Sequence, residues 1–288
     1  MRIKHVVCGL VVVALMGGGS SQAKAEFFPW WAFDSVLEEV QDRGTLRVGL
    51  GLFPPGSACN ADGELVGFEI DVATKVAEDM GVEIEFVPTN WNYIIPSLIA
   101  EEFDIISGMT ILPHRNLKVN FTSPYNATGI YLVANTEETA DLETLADFNR
   151  AAVTIATRRG ASSIPAIRNV FPHATLLLFD ADTEVLQAVV AGEVHAVAAF
   201  ATARTRWVEA HPETLHVPFE EPFASIMLAW AVRKGDLDTL NFFNSWITAN
   251  QANGWLEQRR QYWFEGREWE GRVATDPETV AACDDSFQ

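Results

Sequence analysis

Cysteine is scarce in this chain of 288 residues, with three in all: Cys8, Cys59 and Cys283. Distant cysteines and six scattered histidines give no ligand spacing, so no metal centre is expected. Positive charge is also short. Lys and Arg total 20 against 39 Asp and Glu, a formal net charge of −19. Such a chain is repelled by nucleic acid and by anionic lipid surfaces, and neither is expected as a partner. The acidic balance in itself implies only solubility. No apolar run beyond Met16 is long enough to cross a bilayer. Gly49-Leu50-Gly51 lacks a third glycine opening a helix, so it is no dinucleotide fingerprint. No local Ser-His-Asp or Cys-His set marks a catalytic residue, and no cofactor is expected. His195, alone beside an apolar strand, reads as structural.

What is present begins at the N-terminus. Arg2, Lys4 and His5 precede an apolar run from Val6 to Met16, and Ala23-Lys24-Ala25 is a small-x-small cleavage site. Residues 1–25 are therefore expected to be a secretory signal peptide. Cys8 lies inside the run with no lipobox after it, which argues against a lipoprotein. Cleavage would remove Arg2, Lys4 and Lys24 and no acid, leaving a net charge of about −22. Roughly 260 residues would remain, enough for two modest domains or one large one. Cys59 and Cys283 survive cleavage. In an oxidising compartment an isolated pair often forms a disulfide, here tying the C-terminal tail to an early loop. Two separate thiols are the alternative.

Phe27 to Gly44 has a loose helical pattern and reads as an entry helix. Strands are expected at Leu46–Leu50, Val82–Pro88 and Ile105–Ile106, alternating with helices at Asp71–Met80 and Ile94–Glu101. A second alternating set follows. It has strands at Val153–Ala156, Thr175–Phe179 and His195–Phe200, with helices after Ser163 and at Thr183–Ala191. Met227–Val232 returns as a strand, and Leu237 to Phe264 is helical and rich in tryptophan. Alternation of this kind predicts an α/β fold with largely parallel sheet. One account fits the order. Residues 26–133 and 219–270 build a first lobe, 134–218 an inserted second lobe, and 271–288 a tail. Crossings near Val133 and Pro218 would form the hinge, and a ligand would sit between the lobes at the C-terminal ends of parallel strands.

The most informative stretch is Phe103-Asp104-Ile105-Ile106-Ser107-Gly108-Met109-Thr110-Ile111-Leu112-Pro113-His114-Arg115. It reads as a buried strand ending at Ile106, then a loop exposing backbone N–H groups and hydroxyls, then one arginine. A guanidinium fork suits a planar carboxylate. Read alone, the stretch equally fits a strand end whose arginine pairs with a surface acid. Around it stand Gly67-Phe68-Glu69-Ile70-Asp71-Val72-Ala73, Trp91-Asn92-Tyr93-Ile94-Ile95-Pro96-Ser97-Leu98 and Asn120-Phe121-Thr122-Ser123-Pro124-Tyr125. In order and spacing these resemble the amino-acid type of extracellular solute-binding proteins (solute-binding family 3) of ABC importers, from about Gly44 to Gly266. The resemblance implies a two-lobe type II periplasmic binding protein fold with a ligand cleft between the lobes. It also implies a periplasmic monomer that captures a small carboxylate-bearing solute and hands it to a membrane permease, without covalent chemistry.

The same resemblance assigns the site. Phe53 and Trp91 match aromatic residues that flank the ligand. Arg115 matches the carboxylate-binding arginine. Gly108 and Thr110 match positions that supply N–H and hydroxyl partners, with Ser107 read beside them from the stretch itself, and Ser162 and Ser163 open a helix that closes over the same carboxylate. Helix N-termini favour anions, although a plain N-cap serine is the ordinary alternative. Two departures stand out. Phe200 occupies the position of the aspartate that receives the α-amino group, and Gly51 stands near where several members carry an acid. A ligand that is apolar, aromatic or oxo-substituted near its carboxyl group is expected, unless Glu69 or Glu221 supplies the missing charge. The alternative function is a lyase. His211-Pro212-Glu213, Pro222-Phe223, Trp255-Leu256-Glu257-Gln258-Arg259 and Trp263 are similar to cyclohexadienyl and arogenate dehydratases of the same fold. The general acid of that branch falls at Met227, whose thioether cannot donate a proton.

Overall fold

The computed structural model describes residues 35–266 and 268–274. The expected signal peptide, the aromatic segment before Ser35, and Cys283 lie outside the described residues. Helix α1 (Val36–Arg43) begins at Ser35, whose hydroxyl accepts from the Glu38 N–H at 3.2 Å. It stops at Gly44, which takes a left-handed φ of 76° that a Cβ would disfavour. The chain continues through β1 (Thr45–Leu50), the short pair β2 (Ala58–Cys59) and β3 (Leu65–Val66), α2 (Phe68–Met80) and β4 (Glu83–Pro88). Next come α3 (Ile94–Ile99), β5 (Ile105–Thr110), α4 (Pro113–Asn116) and β6 (Asn120–Phe121). β5 runs on to Thr110 instead of ending at Ile106. Its second half has a partner strand and is fully buried, which holds Ser107-Gly108-Met109-Thr110 in the sheet.

The second half contains β7 (Asn126–Asn135), α5 (Leu145–Phe148), β8 (Thr154–Arg158), α6 (Ser163–Val170), β9 (Thr175–Phe179), α7 (Asp182–Val190) and β10 (Ala196–Phe200). Helix α8 (Ala201–Ala210) follows directly and was not expected from the sequence. Its N-cap, Phe200, offers no side-chain hydrogen bond, so the usual start signal is missing. Then come β11 (Leu215–His216), β12 (Ala224–Val232), α9 (Leu237–Ala252) and α10 (Trp255–Arg260). The stretch from Leu237 to Phe264, expected to be helical, is divided at Gly254, which has a φ of 80°.

Among the described residues the main sheet runs β4-β1-β5-β12-β7-β10-β8-β9. β1 is parallel to β4 and β5, and β8 is parallel to β9 and β10. Between these parallel halves, β12 is antiparallel to both β5 and β7. Its residues Leu228 to Val232 face β5, while Ala224 to Leu228 face β7. Leu228 stands opposite both Thr110 and Asn126, so the sheet changes partners there. This exchange lies earlier on the outgoing strand than Val133 and later on the return than Pro218. The reason is that β12 is long enough to pair with β5 along one part and with β7 along the other.

Each half has its own apolar core. In the first, Trp230, Phe243, Trp246 and Trp263 pack with residues of α1, β1 and α2. The Trp246 and Trp263 indole N–H groups donate to Asp79 and Asp71 at 2.8 and 2.7 Å, so the tryptophan-rich return is anchored by polar bonds as well as by burial. In the second half, Ile130, Leu132, Ile155 and Phe171 form one cluster, and Val133, Val185 and Val197 another.

Candidate functional site

A cavity of about 580 Å³ opens between the two parallel halves. Its walls come from the segments at the C-terminal ends of β1, β4, β5, β8, β9 and β10. Open parallel sheets leave their crevices at these ends, because that is where the strand-to-helix loops diverge. Of the residues expected at a site, Phe53, Trp91, Gly108, Thr110, Arg115, Ser162, Ser163 and Phe200 all line this cavity.

Arg115 sits in α4, one turn beyond the end of β5, and is only 7% exposed. Its Nη1 donates to the Thr110 carbonyl at 3.3 Å and its Nη2 to the Gly160 carbonyl at 3.2 Å. The Trp91 ring centroid lies 5.7 Å from Cζ. Among the described residues no ion pair uses Arg115. The reading of a strand-end arginine paired with a surface acid is therefore set aside. Burial, with a smaller contribution from repulsion by Arg158, lowers its pKa to about 10, which leaves it charged at neutral pH. A buried cation with two carbonyl acceptors and no counter-anion is an incomplete arrangement that an anion would complete.

Gly108 and Phe53 fit each other closely. Gly108 has a φ of +67°, and a Cβ there would lie 2.5 Å from the Phe53 ring. Gly51 does the same for Trp91, whose ring would be 3.0 Å from an added Cβ. The glycine in place of an acid thus lets an aromatic face lie against the backbone. Ser162 precedes α6 without capping it, and its side chain lines the cavity, so the plain N-cap alternative does not apply. Ser163 shares a 2.7 Å hydrogen bond with Thr157. Phe200 is half-buried at the end of β10.

Two expectations need correction. Ser107 does not reach the cavity. Side chains alternate along β5, and its hydroxyl turns inward to donate to Glu69 at 2.6 Å while accepting from the Trp230 indole at 3.2 Å. The Gly108 N–H is likewise spent, donating to the Tyr125 hydroxyl at 2.8 Å. Met227 also lies elsewhere. Ile226 and Leu228 face the cavity, so by the same alternation Met227 points away and is 56% exposed. Of the acids held in reserve, Glu69 is fully buried behind the cavity floor, and Glu221 is exposed and does not line the cavity.

The sequence model of the "Bacterial extracellular solute-binding proteins, family 3" matches residues 46–266. This chain belongs to that family. Among curated members, the L-cystine-binding protein TcyJ of Escherichia coli (strain K12) is 29% identical over 270 residues, covering 92% of this chain and 98% of TcyJ. The cyclohexadienyl dehydratase of Pseudomonas aeruginosa is 26% identical over 266 residues, with 92% and 96% covered. A binding component of an ABC transporter from Wolinella succinogenes, solved with lysine, superposes with a TM-score of 0.73 at 31% identity. It covers 80% of this chain and 100% of that one. The ancestral amino acid-binding protein AncCDT-1, a precursor of cyclohexadienyl dehydratase, gives 0.71 at 33% identity with the same coverage. The two-lobe type II architecture expected from the motifs is the architecture of these relatives.

Within this family-3 cleft the sequence reading missed a charged group. Arg158 ends β8, Asp180 and Asp182 precede and open α7, and Arg206 lies in α8, all lining the cavity. Arg159 pairs with Asp180 at 2.8 Å, and Arg158 lies 3.8 Å from Asp182. Arg158 could have been flagged, since a charge directly at the end of an expected strand reaches a crevice of this kind. Arg206 could not, because its helix was not recognised.

Proposed function

We propose that this protein is the periplasmic substrate-binding component of an ABC importer, and that it captures a small carboxylate-bearing solute by closure of two lobes. The carrying observation is Arg115: buried, charged, free of any ion pair with a described residue, and facing the crevice. The carboxylate lies on its guanidinium beside Thr110 and Ser162, and Phe53, Trp91 and Phe200 surround the ligand body. The lobes turn about the β7–β12 pair, where Leu228 exchanges partners. The protein acts as a monomer and delivers its cargo to a membrane permease.

Residues 1–25 direct export and are removed, and Cys59 pairs with Cys283 in the oxidising periplasm. Support for the pairing comes from Ala274, whose N–H donates to the Cys59 carbonyl at 2.8 Å and so holds the start of the tail beside this cysteine. The similarity to TcyJ and to the lysine complex supports an amino-acid-like ligand. The decisive experiment is a thermal-shift screen over amino acids, oxo acids and aromatic acids, followed by calorimetry on the hits. A ligand of the native state raises stability by mass action. The absence of any carboxylate hit would overturn the proposal.

The similarity to cyclohexadienyl dehydratase keeps a second reading in view. That chemistry needs a general acid over the leaving hydroxyl. The lining acids are Asp180 and Asp182, which have arginine neighbours and are 78% and 59% exposed in their side chains. Incubation with prephenate and arogenate is expected to yield no phenylpyruvate or phenylalanine. Formation of either would establish the lyase.

A further inference from the structure

The charge of the cavity wall runs against the charge of the chain. The protein has 20 Lys and Arg against 39 Asp and Glu. Yet the charged side chains lining the cavity are four arginines (Arg115, Arg158, Arg159 and Arg206) and only two aspartates (Asp180 and Asp182). Arg159 is committed to Asp180 at 2.8 Å. Arg158 forms a looser ion pair with Asp182, at 3.8 Å and beyond hydrogen-bond distance. Among the described residues no ion pair or hydrogen bond uses the Arg206 side chain. Four arginines against two aspartates therefore leave the wall with excess positive charge in two places. One is Arg115, from the first half of the sheet. The other is Arg206 with the loosely paired Arg158, from the second half. Phe53, Trp91 and Phe200 supply apolar surface to the same cavity.

Resting on the binding-protein reading above, we infer that the cleft selects a small dianion, with one carboxylate on Arg115 and a second acidic group held by Arg158 and Arg206. A scaffold of strongly negative charge repels such a ligand at long range, and a local excess of arginine offsets this by focusing the field inside the cleft. Arg158 and Arg115 line the same cavity, and repulsion from Arg158 contributes to lowering the Arg115 pKa. Two cations held near each other become more stable together when anionic charge enters between them. A ligand of net positive charge would meet the opposite arrangement, with Phe200 and Gly51 at positions where acids were expected. Specificity then comes as much from rejecting cations as from attracting dianions.

The test uses matched pairs that differ by one acidic group: 2-oxoglutarate against 2-oxopentanoate, and benzylsuccinate against 4-phenylbutanoate. Calorimetry on the full mature protein is expected to give at least tenfold tighter binding of the dianion in a pair. The double variant Arg158→Gln/Arg206→Gln should lower dianion affinity at least tenfold more than it lowers monoanion affinity. Both side chains reach solvent, and thermal unfolding without ligand checks that the fold is intact. Arg115→Ala should weaken both members of a pair. Equal affinity within each pair, or a double variant that binds dianions as well as the wild type, would overturn the inference while leaving the Arg115 reading standing. An Arg115 variant with unchanged affinity overturns the underlying reading instead. Failure of all four probes to bind counts against both.

Discussion

The Nη2 atom of Arg115 donates to the carbonyl oxygen of Gly160 at 3.2 Å, so a single guanidinium links the two halves of the sheet across the cavity. Gly160 takes a φ of +74°, and an added Cβ would come within 3.2 Å of Asn92 Oδ1 from the opposite half. The walls therefore meet at Gly160, next to the group proposed to hold the ligand. Arg115→Ala should remove the charge-assisted bonds to the carboxylate together with this contact. The expected loss of binding free energy is about 2–5 kcal/mol for a desolvated pair. Arg115→Lys should also bind poorly, because an ammonium cannot reproduce the fork. Calorimetry checks both, with circular dichroism as the control for folding. Wild-type affinity in either variant removes Arg115 from the site.

Two serines once expected at the same site should separate in their effects. Ser107→Ala leaves Glu69 without one donor and the Trp230 indole without its acceptor. It should cost about 1–3 kcal/mol of stability, the usual penalty for orphaned buried polar groups. Ser162→Ala leaves no capping bond broken, so its stability should change by less than about 0.5 kcal/mol while ligand affinity falls. Urea unfolding and calorimetry on both variants separate the roles. A Ser107 variant that is stable but fails to bind would return that residue to the site.

Glu69 makes stability depend on pH. Its carboxylate is fully buried, Oε2 accepts from Ser107 and Tyr125, and Oε1 has no partner. Burial outweighs those bonds and raises its pKa to about 7. The folded state then holds a proton that the unfolded state has already released, so this contribution is full below the ordinary glutamate range and fades as pH rises through about 7. Glu69→Gln keeps the neutral shape and cannot ionise. Between pH 5 and pH 8 the wild type should lose more stability than the variant, by at most about 3 kcal/mol on the conversion of one pKa unit to 1.36 kcal/mol. Parallel pH profiles for the two proteins, measured by urea unfolding, would refute this account.

Mass analysis of exported protein under non-reducing conditions should find Cys59 and Cys283 in one disulfide. The motivation is the hydrogen bond that brings Ala274 to the Cys59 carbonyl. Two free thiols in periplasmic material would exclude the pairing.

Much of this site was legible in the chain because its determinants are local. Arg115 and Trp91 each follow a strand by a fixed short distance, and Gly108 lies in the last part of β5, so the strand pattern carries them to one end of the sheet. What failed was information held by tertiary partners. Ser107 looked like a loop residue because nothing in its neighbourhood shows that β12 pairs with β5 through Thr110. Met227 was misplaced for a related reason: alternation fixes its face only once the strand is known to begin at Ala224. Arg206 was missed because α8 starts on a phenylalanine with no capping side chain.

Phe200 offers the sharpest test of what the cleft refuses. The family resemblance implies an aspartate here that receives the ligand's α-amino group. The structure keeps the position in the cavity and replaces charge with an apolar face. An ammonium left unpaired against that face costs several kcal/mol on the scale of buried charges, more than a lost neutral hydrogen bond. Among the described residues no nearby acid is free to compensate. Asp180 pairs with Arg159, Asp182 lies 3.8 Å from Arg158, and Glu69 is sealed behind Gly108. Phenylpyruvate should therefore bind the wild type at least as tightly as phenylalanine. Phe200→Asp should reverse the order by a factor of ten or more, about 1.4 kcal/mol. Calorimetry with the two compounds on the two proteins completes the cycle. Tighter binding of phenylalanine by the wild type would mean that one of the three acids serves the amino group after all, and mutating each in turn to its amide would identify which.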